Sequence, residues 1–418
     1  MSWWAYRQNR KSYITVLDIG SSKVCGLMAH IPSNGRPEVI GVGFAAAKGI
    51  KSGMVVDLNE ATECIGHVLG QIEKQAERPV KSVTVNISSN QLKSRHLAKE
   101  ITLDDSHPIT AGDVKQLVDD MIQTIVPPEE EVLHPFAMGY SVDGEAGIAD
   151  PRGLYARTLK AYVHVVTIPE TQLRNLLMVL DRCHVELDRK VATPYAAALA
   201  TLTDEEKEVG ATVLDLGAGT TGYALFARGY LVHLGVVPIG GALMTRDIAQ
   251  VLSTSLATAE RLKTLNGAAF LSPKDELDRL IVPMIGEESE TNSQIPKAEL
   301  IKIIVPRLES ILEQIGQKLA ANELFLASAR RLVLCGGGSA LQGIKEKAEA
   351  LLEANVRLSK APYIKNLPNQ FDSYTFVVCA GLLKYVLSQQ AAARPVEQFD
   401  EQALGKSRFR KVLTWLVK

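Results

Sequence analysis

Two short segments of the sequence carry residues that could hold a phosphate group and its metal ion. Each places an aspartate at the end of an apolar run and follows it with a turn of small residues. The first comprises Asp18, Gly20, Ser21, Ser22 and Lys23, and the second comprises Asp215, Gly217, Gly219, Thr220 and Thr221. Glycine lets backbone N–H groups approach phosphate oxygens, hydroxyls add donors, and aspartate can hold Mg²⁺ through water. The pair predicts two phosphate loops, with Asp18 and Asp215 facing the magnesium ion and Lys23 adding a point charge to the phosphates.

A third glycine-rich turn follows the apolar run of residues 332–334. Its candidate nucleotide-binding residues are Gly336, Gly337, Gly338 and Ser339. A run of glycines lets the backbone pack flat against a ring or a sugar, and a following helix N-terminus attracts anions. Three such turns in repeated contexts predict a nucleotide site, whereas one alone would predict only a hairpin or a strand-to-helix turn.

Two known nucleotide fingerprints fail in this sequence. Residues 217–222 match G-x-G-x-x-G, but aromatic and strand-forming residues follow where a dinucleotide-binding fingerprint requires a helix. Residues 405–407 match the end of a Walker A loop, but Asp400 stands where its first glycine belongs. We therefore reject both interpretations.

The elements around the phosphate loops repeat along the chain. Residues 13–44 and 211–237 each predict three short strands joined by tight turns. Dense loop signals around a helix predicted over 111–125 indicate an inserted subdomain, and further helices are predicted over 307–322 and from Leu341. We expect an α/β, two-lobed fold. The predicted parts are a first lobe (12–87 and 164–192), an inserted subdomain (88–163), a second lobe (193–240 and 307–387), a second-lobe insertion (241–306), a linker (388–406) and an amphipathic helix (407–418).

Composition narrows the functional classes. The chain has 418 residues, enough for two lobes, and its net charge of −1 gives no field that would recruit nucleic acid. Its five cysteines are scattered without a C-x-x-C pair, which indicates a reducing compartment and no metal or disulfide framework. No apolar run reaches the roughly 20 residues that span a bilayer.

The last twelve residues have the pattern of a helix that lies in a membrane surface. Their apolar face is predicted to contain Phe409, Val412, Leu413, Leu416 and Val417. Basic residues occupy the other face, and Trp415 stands at the border, where an amphipathic ring favours the interface. The basic membrane contacts are predicted to be Arg410, Lys411 and Lys418.

The order of the three glycine turns resembles that of the actin, Hsp70 and sugar-kinase ATPases. Residues 192–198 and 378–382 stand where that class has two helices that cross between the lobes. Within the class, the chain is similar to the FtsA family of bacterial cell-division proteins over nearly its whole length. The similarity rests on residues 18–23, 51–57, 150–154, 191–198 and 215–221 and on the basic, apolar tail. Residues 88–91 depart from the Gly-x-His expected there.

The resemblance implies a cell-division protein that polymerises on the cytoplasmic membrane and tethers FtsZ filaments during septal ring assembly, and it implies additional site residues. It implies an actin-like fold with an FtsA-type insertion, ATP and Mg²⁺ as ligands, and contacts of Glu260 and Lys263 with the ribose or adenine. It implies as partners the C-terminal tail of FtsZ, with Arg307 as a contact, further copies of the chain, anionic lipid and later membrane proteins of the divisome, but no nucleic acid. The expected place is the cytoplasmic face of the inner membrane at the division site.

The chemistry of the site leaves alternatives open. The sequence does not identify a general base that would activate water or an acceptor hydroxyl, so we expect slow ATP hydrolysis at best. A carbohydrate kinase of the same fold is one alternative, although the amphipathic tail argues against it. A pilus-assembly adaptor of the same fold is another, and it would not need a lipid-binding tail. A chaperone is disfavoured because no substrate-binding β domain follows.

Overall fold

The structure is a computed structural model. It describes residues 12–32, 36–104, 107–285, 293–321, 325, 330–362, 364–367 and 374–392. One compact unit comprises residues 92–173, and the other is built from residues up to 91 and from 174 to 388. The helix predicted over 407–418 and most of the predicted linker lie outside the described residues. Within the described part of the chain, every helix is too short or too polar to cross a bilayer.

The first lobe of the larger unit is a five-stranded sheet in the order β11-β6-β1-β2-β3. Strands β1, β2 and β3 form an antiparallel meander, whereas β6 and β11 continue the sheet in parallel. A small hairpin, β4 and β5, precedes the first helix. The strands are β1 (Tyr13–Ile19), β2 (Lys23–His30), β3 (Glu38–Ala46), β4 (Ile50–Lys51), β5 (Met54–Val55), β6 (Ser82–Ile87) and β11 (Glu186–Ala192).

Helix α1 (Leu58–Ala76) covers one face of this sheet. It begins after Asp57, whose carboxylate accepts from the N–H groups of Asn59 and Glu60, both at 2.9 Å. Its apolar residues recur at helical spacing and are buried. Fully buried side chains such as Ile65 and Ile72 each contribute about 1.5–3 kcal/mol of apolar burial.

The second lobe repeats the same strand order, β14-β13-β12-β17-β18. Three strands again form an antiparallel meander, and the last two are parallel to the first. This observation confirms the repeat expected from the sequence. The strands are β12 (Ala211–Leu216), β13 (Thr221–Ala227), β14 (Tyr230–Val237), β17 (Arg331–Cys335) and β18 (Asn355–Leu358).

Two helices of the larger unit are in contact with each other. They are α4 (Thr193–Thr201) and the last described helix, α10 (Val377–Ala392). A Cβ placed on Gly381 of α10 would lie 1.8 Å from the carbonyl oxygen of Ala196 in α4. The close crossing of two helices through small residues, predicted from the sequence, is therefore present.

The second-lobe insertion contains two helices and a hairpin. Alongside α6 (Ala242–Val251) and α7 (Leu256–Asn266), a hairpin forms from β15 (Arg279–Val282) and β16 (Ser293–Pro296). The long helix α8 (Lys297–Ala320) corrects the predicted start at residue 307 because it continues through Pro306. Proline usually interrupts a helix, but here the apolar residues on both sides of it are buried, among them Ile301, Ile304 and Leu308.

The remaining helices of the larger unit are short. They are α3 (Glu170–Arg182), which belongs to this unit from Arg174 onward, α5 (Asp204–Val209) and α9 (Ile344–Leu352). The helix predicted from Leu341 is present as α9 but begins three residues later, at Ile344, after a short 3₁₀ turn, Gly337–Ala340.

The smaller unit is a four-stranded antiparallel sheet with one helix packed on it. The sheet order is β7-β10-β8-β9. Its buried centre lies between the sheet and the helix. Glu130 accepts hydrogen bonds from Lys93, Arg95 and Thr167, which tie three strands together. The elements are β7 (Lys93–Thr102), α2 (Ala111–Ile125), β8 (Glu130–Val142), β9 (Glu145–Ile148) and β10 (Thr158–Pro169).

Candidate functional site

A cavity of about 290 Å³ lies between the two lobes of the larger unit. Its lining includes Asp18 from the first lobe and Asp215 from the second, and it includes all three glycine turns. The other lining residues that were predicted from the sequence are Gly20, Ser21, Ser22, Lys23, Gly217, Gly219, Thr220, Glu260, Lys263, Gly336, Gly337 and Gly338. Segments that are distant in sequence therefore converge on one site.

The two phosphate loops share one backbone arrangement. Gly20 N–H donates to the carbonyl of Lys23 at 3.0 Å, and Gly217 N–H donates to the carbonyl of Thr220 at 3.0 Å. A Cβ on either glycine would lie within 2.9 Å of that same carbonyl, so both loops need glycine at the first position. The repeat of the loops thus extends from sequence to hydrogen bonding.

The loops of the two lobes also touch each other. A Cβ on Gly219 would lie 2.6 Å from Ser21 Oγ, and Ser21 Oγ accepts from the N–H of Gly53 at 3.0 Å. The hydroxyls of Ser88 and Thr220 lie 3.0 Å apart, one from each lobe. A phosphate chain between the lobes would have hydroxyl donors and close backbone on both sides.

The third glycine turn approaches the second aspartate. Gly336 has a φ of +80°, and a Cβ there would lie 2.3 Å from Asp215 Oδ1. Only glycine fits that position. By contrast, a Cβ on Gly337 would meet open space, so this residue offers bare backbone to the cavity, which suits contact with a flat ring.

The two aspartates are the dominant electrostatic feature of the cavity. Burial raises the pKa of Asp18 to about 6, against the opposing effect of Lys23. Burial also raises the pKa of Asp215 to about 7, with a further contribution from the charge of Asp18. Two buried carboxylates with one nearby ammonium group lack positive charge, and a cation would supply it. Magnesium fits this donor set, because it binds through one or two carboxylates, water and substrate phosphates.

The described parts of the chain contain no metal site built from three or more protein side chains. Nowhere among those residues do three or more His, Cys, Asp or Glu side chains converge as metal ligands. A magnesium ion at Asp18 and Asp215 would therefore need phosphate oxygens and water to complete its coordination, which agrees with a metal that arrives with a nucleotide.

Lys23 is bound at the rim of the cavity. Its ammonium group donates to the carbonyl of Thr375 at 3.1 Å, in the turn that precedes α10. The predicted contact of Lys23 with phosphates stays a prediction, and it would require this ammonium group to bridge Thr375 and the phosphates or to exchange one for the other.

Glu260 and Lys263 form a network with Thr245 at the second-lobe end of the cavity. Lys263 Nζ donates to Glu260 Oε2 at 2.7 Å, to Thr245 Oγ1 at 2.9 Å and to the carbonyl of Gly241 at 3.2 Å. All three donors of this ammonium group are thus occupied. We infer that Lys263 orients Glu260, and the contact of these two residues with a ribose or adenine stays a prediction.

Two of the predicted residues do not line the cavity. Thr221 is buried, and its hydroxyl donates to the carbonyl of Ile239 at 2.8 Å. Ser339 is also buried, and its hydroxyl donates to the carbonyl of Gly336 at 2.6 Å. Both hydroxyls hold the loops in shape, and their contact with a nucleotide stays a prediction.

Sequence reasoning missed several residues that line the cavity. At its first-lobe end, Asn86 donates hydrogen bonds to Asp18 and to Thr193. The signal for Asn86 was a polar residue inside the apolar run of residues 83–87. The other lining residues had no local sequence pattern that marked them as part of a site. They are Gly53, Ser88, Ala218, Gly241, Met244, Thr264, Ala340, Leu341, Tyr374, Thr375, Val377 and Val378.

Arg307 lies outside the cavity, on α8. Its guanidinium binds both carboxylate oxygens of Asp247 in α6, with Nη2 at 3.1 Å from Oδ1. The acid near it in sequence, Glu309, is paired instead with Lys347 at 2.8 Å. The contact of Arg307 with a partner therefore stays a prediction.

Sequence comparisons identify relatives over nearly the full chain. A family model described as cell division protein FtsA matches residues 212–380, and one described as the SHS2 domain inserted in FtsA matches residues 89–167. The cell division protein FtsA of Agrobacterium fabrum is 34% identical over 420 residues, covering 97% of this chain and 95% of that protein. The chain belongs to the FtsA family. The Escherichia coli member is 27% identical and covers 90% of each chain.

Solved structures agree with the fold. The PilM–PilN type IV pilus biogenesis complex matches with a TM-score of 0.62 at 17% identity, covering 93% of this chain and all of that one. MreB5 of Spiroplasma citri bound to ADP matches with a TM-score of 0.57 at 13% identity, covering 92% and 99%. At these identities only the fold is shared. The predicted fold class, an actin-like α/β protein with an FtsA-type insertion, is confirmed, and so is the family.

Proposed function

We propose that the protein binds ATP with Mg²⁺ between its lobes, assembles into polymers on the membrane, and tethers FtsZ filaments during cell division. The observation that carries the nucleotide assignment is the convergence of Asp18 and Asp215, from repeated strands of two lobes, in one cavity with three glycine turns. When bound, the ion would neutralise the phosphates. Membership of a family named for cell division supports the cellular role. The structural similarity to MreB5 bound to ADP supports a nucleotide as the ligand.

The lining of the cavity supports binding more strongly than rapid hydrolysis. No histidine or glutamine is among the described residues that line it. Asp18 and Asp215 would be occupied by the hydrated ion, and Glu260 is held by Lys263 and Thr245. A site without a free base to orient water would hydrolyse ATP slowly. We propose that the nucleotide mainly sets the arrangement of the lobes and thereby favours assembly.

The nucleotide assignment is tested by replacing one carboxylate. We expect Asp215→Ala to weaken ATP binding in Mg²⁺ at least tenfold, measured by titration calorimetry on the full chain. The matched control is Asp247→Ala, which removes a carboxylate on the same lobe that does not line the cavity. Equal affinity of Asp215→Ala and wild type would remove the assignment.

The second-lobe insertion is the proposed surface for the C-terminal tail of FtsZ. It exposes apolar side chains, with Leu277 at 79% and Ile281 at 58% exposure. The bond between Lys302 and Glu276 holds the segment before Leu277 against α8, the helix that carries Arg307. An apolar patch with nearby charges suits a peptide that combines apolar anchors with acidic or polar residues.

The partner surface can be tested with paired substitutions. We expect Leu277→Glu to weaken binding of a labelled FtsZ C-terminal peptide, measured by fluorescence anisotropy. Val209→Glu introduces the same charge at another exposed apolar residue of the second lobe, in α5, and should leave binding unchanged. Loss of binding in both variants, or in neither, would contradict this surface.

The membrane contact is proposed from the sequence of residues 407–418. Burial of five apolar residues contributes several kcal/mol at about 1.5–3 kcal/mol each, before the cost of ordering the helix. Single-copy binding would be weak, and polymerisation would strengthen it because later anchors bind intramolecularly. This avidity gives assembly a direct role in tethering and in recruiting later membrane proteins of the divisome.

A flotation assay with anionic liposomes tests the membrane contact. We expect Leu413→Glu to abolish flotation, whereas Thr414→Glu, which adds the same charge to the polar face, should weaken it only partly. Filaments on the liposomes should appear by electron microscopy with ATP and Mg²⁺. Persistent flotation of Leu413→Glu would refute the anchor.

A further inference from the structure

Asn86 is a polar residue in the middle of the first-lobe sheet. It lies in β6, the strand next to β1, and only 3% of it is exposed. A buried amide is stable only when its hydrogen bonds are satisfied. The partners of Asn86 therefore indicate why an apolar residue does not stand there.

The hydrogen bonds of Asn86 converge on the candidate magnesium ligand. Its Oδ1 accepts from the N–H of Ile19 at 2.7 Å, which fixes the orientation of the amide. Its Nδ2 donates to Asp18 Oδ1 at 2.7 Å and to Thr193 Oγ1 at 3.1 Å. One side chain thus joins the end of β1, the carboxylate and the first residue of α4.

The two oxygens of Asp18 are held very differently. Oδ1 receives the short bond from Asn86, whereas the one contact of Oδ2 among the described residues is with a thiol, Cys25 Sγ at 3.8 Å. A thiol is a weak donor. Asn86 therefore fixes the plane of the carboxylate and leaves Oδ2 available for another group, such as a water of a hydrated metal ion.

We propose that Asn86 is the positioning residue of this site: it orients the Asp18 carboxylate toward the hydrated metal ion and links that carboxylate to helix α4 through Thr193. The inference rests on the proposed binding of ATP with Mg²⁺. Asn86 contributes only to binding through the metal, because its amide is committed to protein groups. Loss of Asn86 weakens the metal-dependent part of ATP affinity and spares the metal-independent part.

The test compares ATP affinity in Mg²⁺ with ATP affinity in EDTA, by titration calorimetry on the full chain. The ratio of the two, here the magnesium advantage, should fall about tenfold or more in Asn86→Leu, as expected for losing a hydrogen bond to a charged group. Affinity in EDTA should stay within about twofold of wild type. Thr193→Val keeps the hydrogen bond from Asn86 to Asp18, so it should lower the magnesium advantage by a smaller factor.

The matched control is Thr84→Val. Thr84 lies two residues earlier on the same strand, is fully buried, and its hydroxyl has no hydrogen-bond partner among the described residues. This variant should leave both affinities unchanged. Circular dichroism checks folding, and Asn86→Ser, with the same expected loss, replaces Asn86→Leu if the latter does not fold.

The outcomes separate this inference from the proposed function. If wild type gains nothing from Mg²⁺, the proposed metal site fails. If wild type shows a magnesium advantage that Asn86→Leu or Asn86→Ser retains in full, the positioning role is overturned and the metal site stands. A parallel loss of affinity with and without Mg²⁺ also overturns it, because that is the result of a purely structural role.

Discussion

The crossing of α4 and α10 gives a sharp prediction, because glycine inside a helix is normally a disadvantage. Replacing a helical glycine with alanine usually stabilises by about 0.5–1 kcal/mol, since alanine loses less backbone entropy. Gly381 lies inside α10, so propensity alone predicts that Gly381→Ala stabilises the protein. The structure predicts the opposite sign.

The magnitude follows from the contact at Ala196. An added Cβ on Gly381 would lie 1.8 Å from the Ala196 carbonyl oxygen, and real Cβ atoms essentially never approach another atom closer than 3.0 Å. The obstacle is backbone, so a rotamer change cannot relieve it. Overpacking of this kind costs about 1–3 kcal/mol. Taking about 3 kcal/mol and subtracting the gain of about 1 kcal/mol leaves Gly381→Ala less stable by about 2 kcal/mol.

Gly70 provides the matched control. It lies inside α1 and is exposed, and an added Cβ there meets nothing within 4 Å. Gly70→Ala should therefore stabilise by about 1 kcal/mol, a difference of about 3 kcal/mol between the variants. Urea unfolding followed by circular dichroism measures both. Equal stabilisation by the two substitutions would refute the close crossing of the helices.

Four further predictions follow from single contacts. Thr84→Val should be neutral or stabilise by up to about 1–3 kcal/mol in urea unfolding, because it removes a buried hydroxyl without a described partner; clear destabilisation would mean that this hydroxyl has one. Gly53→Ala should lower ATP affinity and stability together, since Gly53 has a φ of +76° and an added Cβ would lie 1.5 Å from the Ser88 carbonyl; a wild-type thermal midpoint would contradict it. Burial raises the folded pKa values of Asp18 and Asp215 to about 6 and about 7. The nucleotide-free protein should therefore lose stability as pH rises from about 4 through 7, whereas its affinity for ATP in Mg²⁺ should increase. A thermal midpoint and an ATP affinity that do not change with pH would refute this. Glu130→Gln should destabilise residues 92–173 by about 1–3 kcal/mol, measured by hydrogen exchange, because it weakens charge-assisted hydrogen bonds. These bonds, chiefly the one from Arg95, lower the pKa of Glu130 to about 2. Unchanged hydrogen exchange would count against the network.

Residues that act through a local pattern were predictable from the sequence. The turns after Asp18 and Asp215 were recognisable because each combines an acid, glycines and hydroxyls within a few residues. The structure adds that Gly20 and Gly217 face the same steric limit. Helix α2 was predicted with its observed bounds because its apolar spacing and its turn signals agree.

Residues that act across the fold were not predictable in this way. Asn86 reaches Asp18 because β6 pairs in parallel with β1, and this register follows from the crossover between them and not from either strand alone. Lys23 finds its acceptor, Thr375, 352 positions away. The helix through Pro306 was cut short in prediction because local propensity disfavours proline, whereas tertiary burial keeps the helix intact.

The most direct test of the account is an experimental structure of the full chain with Mg²⁺ and a non-hydrolysable ATP analogue. We expect the phosphates to lie between the turns at Gly20 and Gly217, with the ion held near Asp18 and Asp215 through water. A nucleotide bound elsewhere, or an ion coordinated away from both carboxylates, would contradict it.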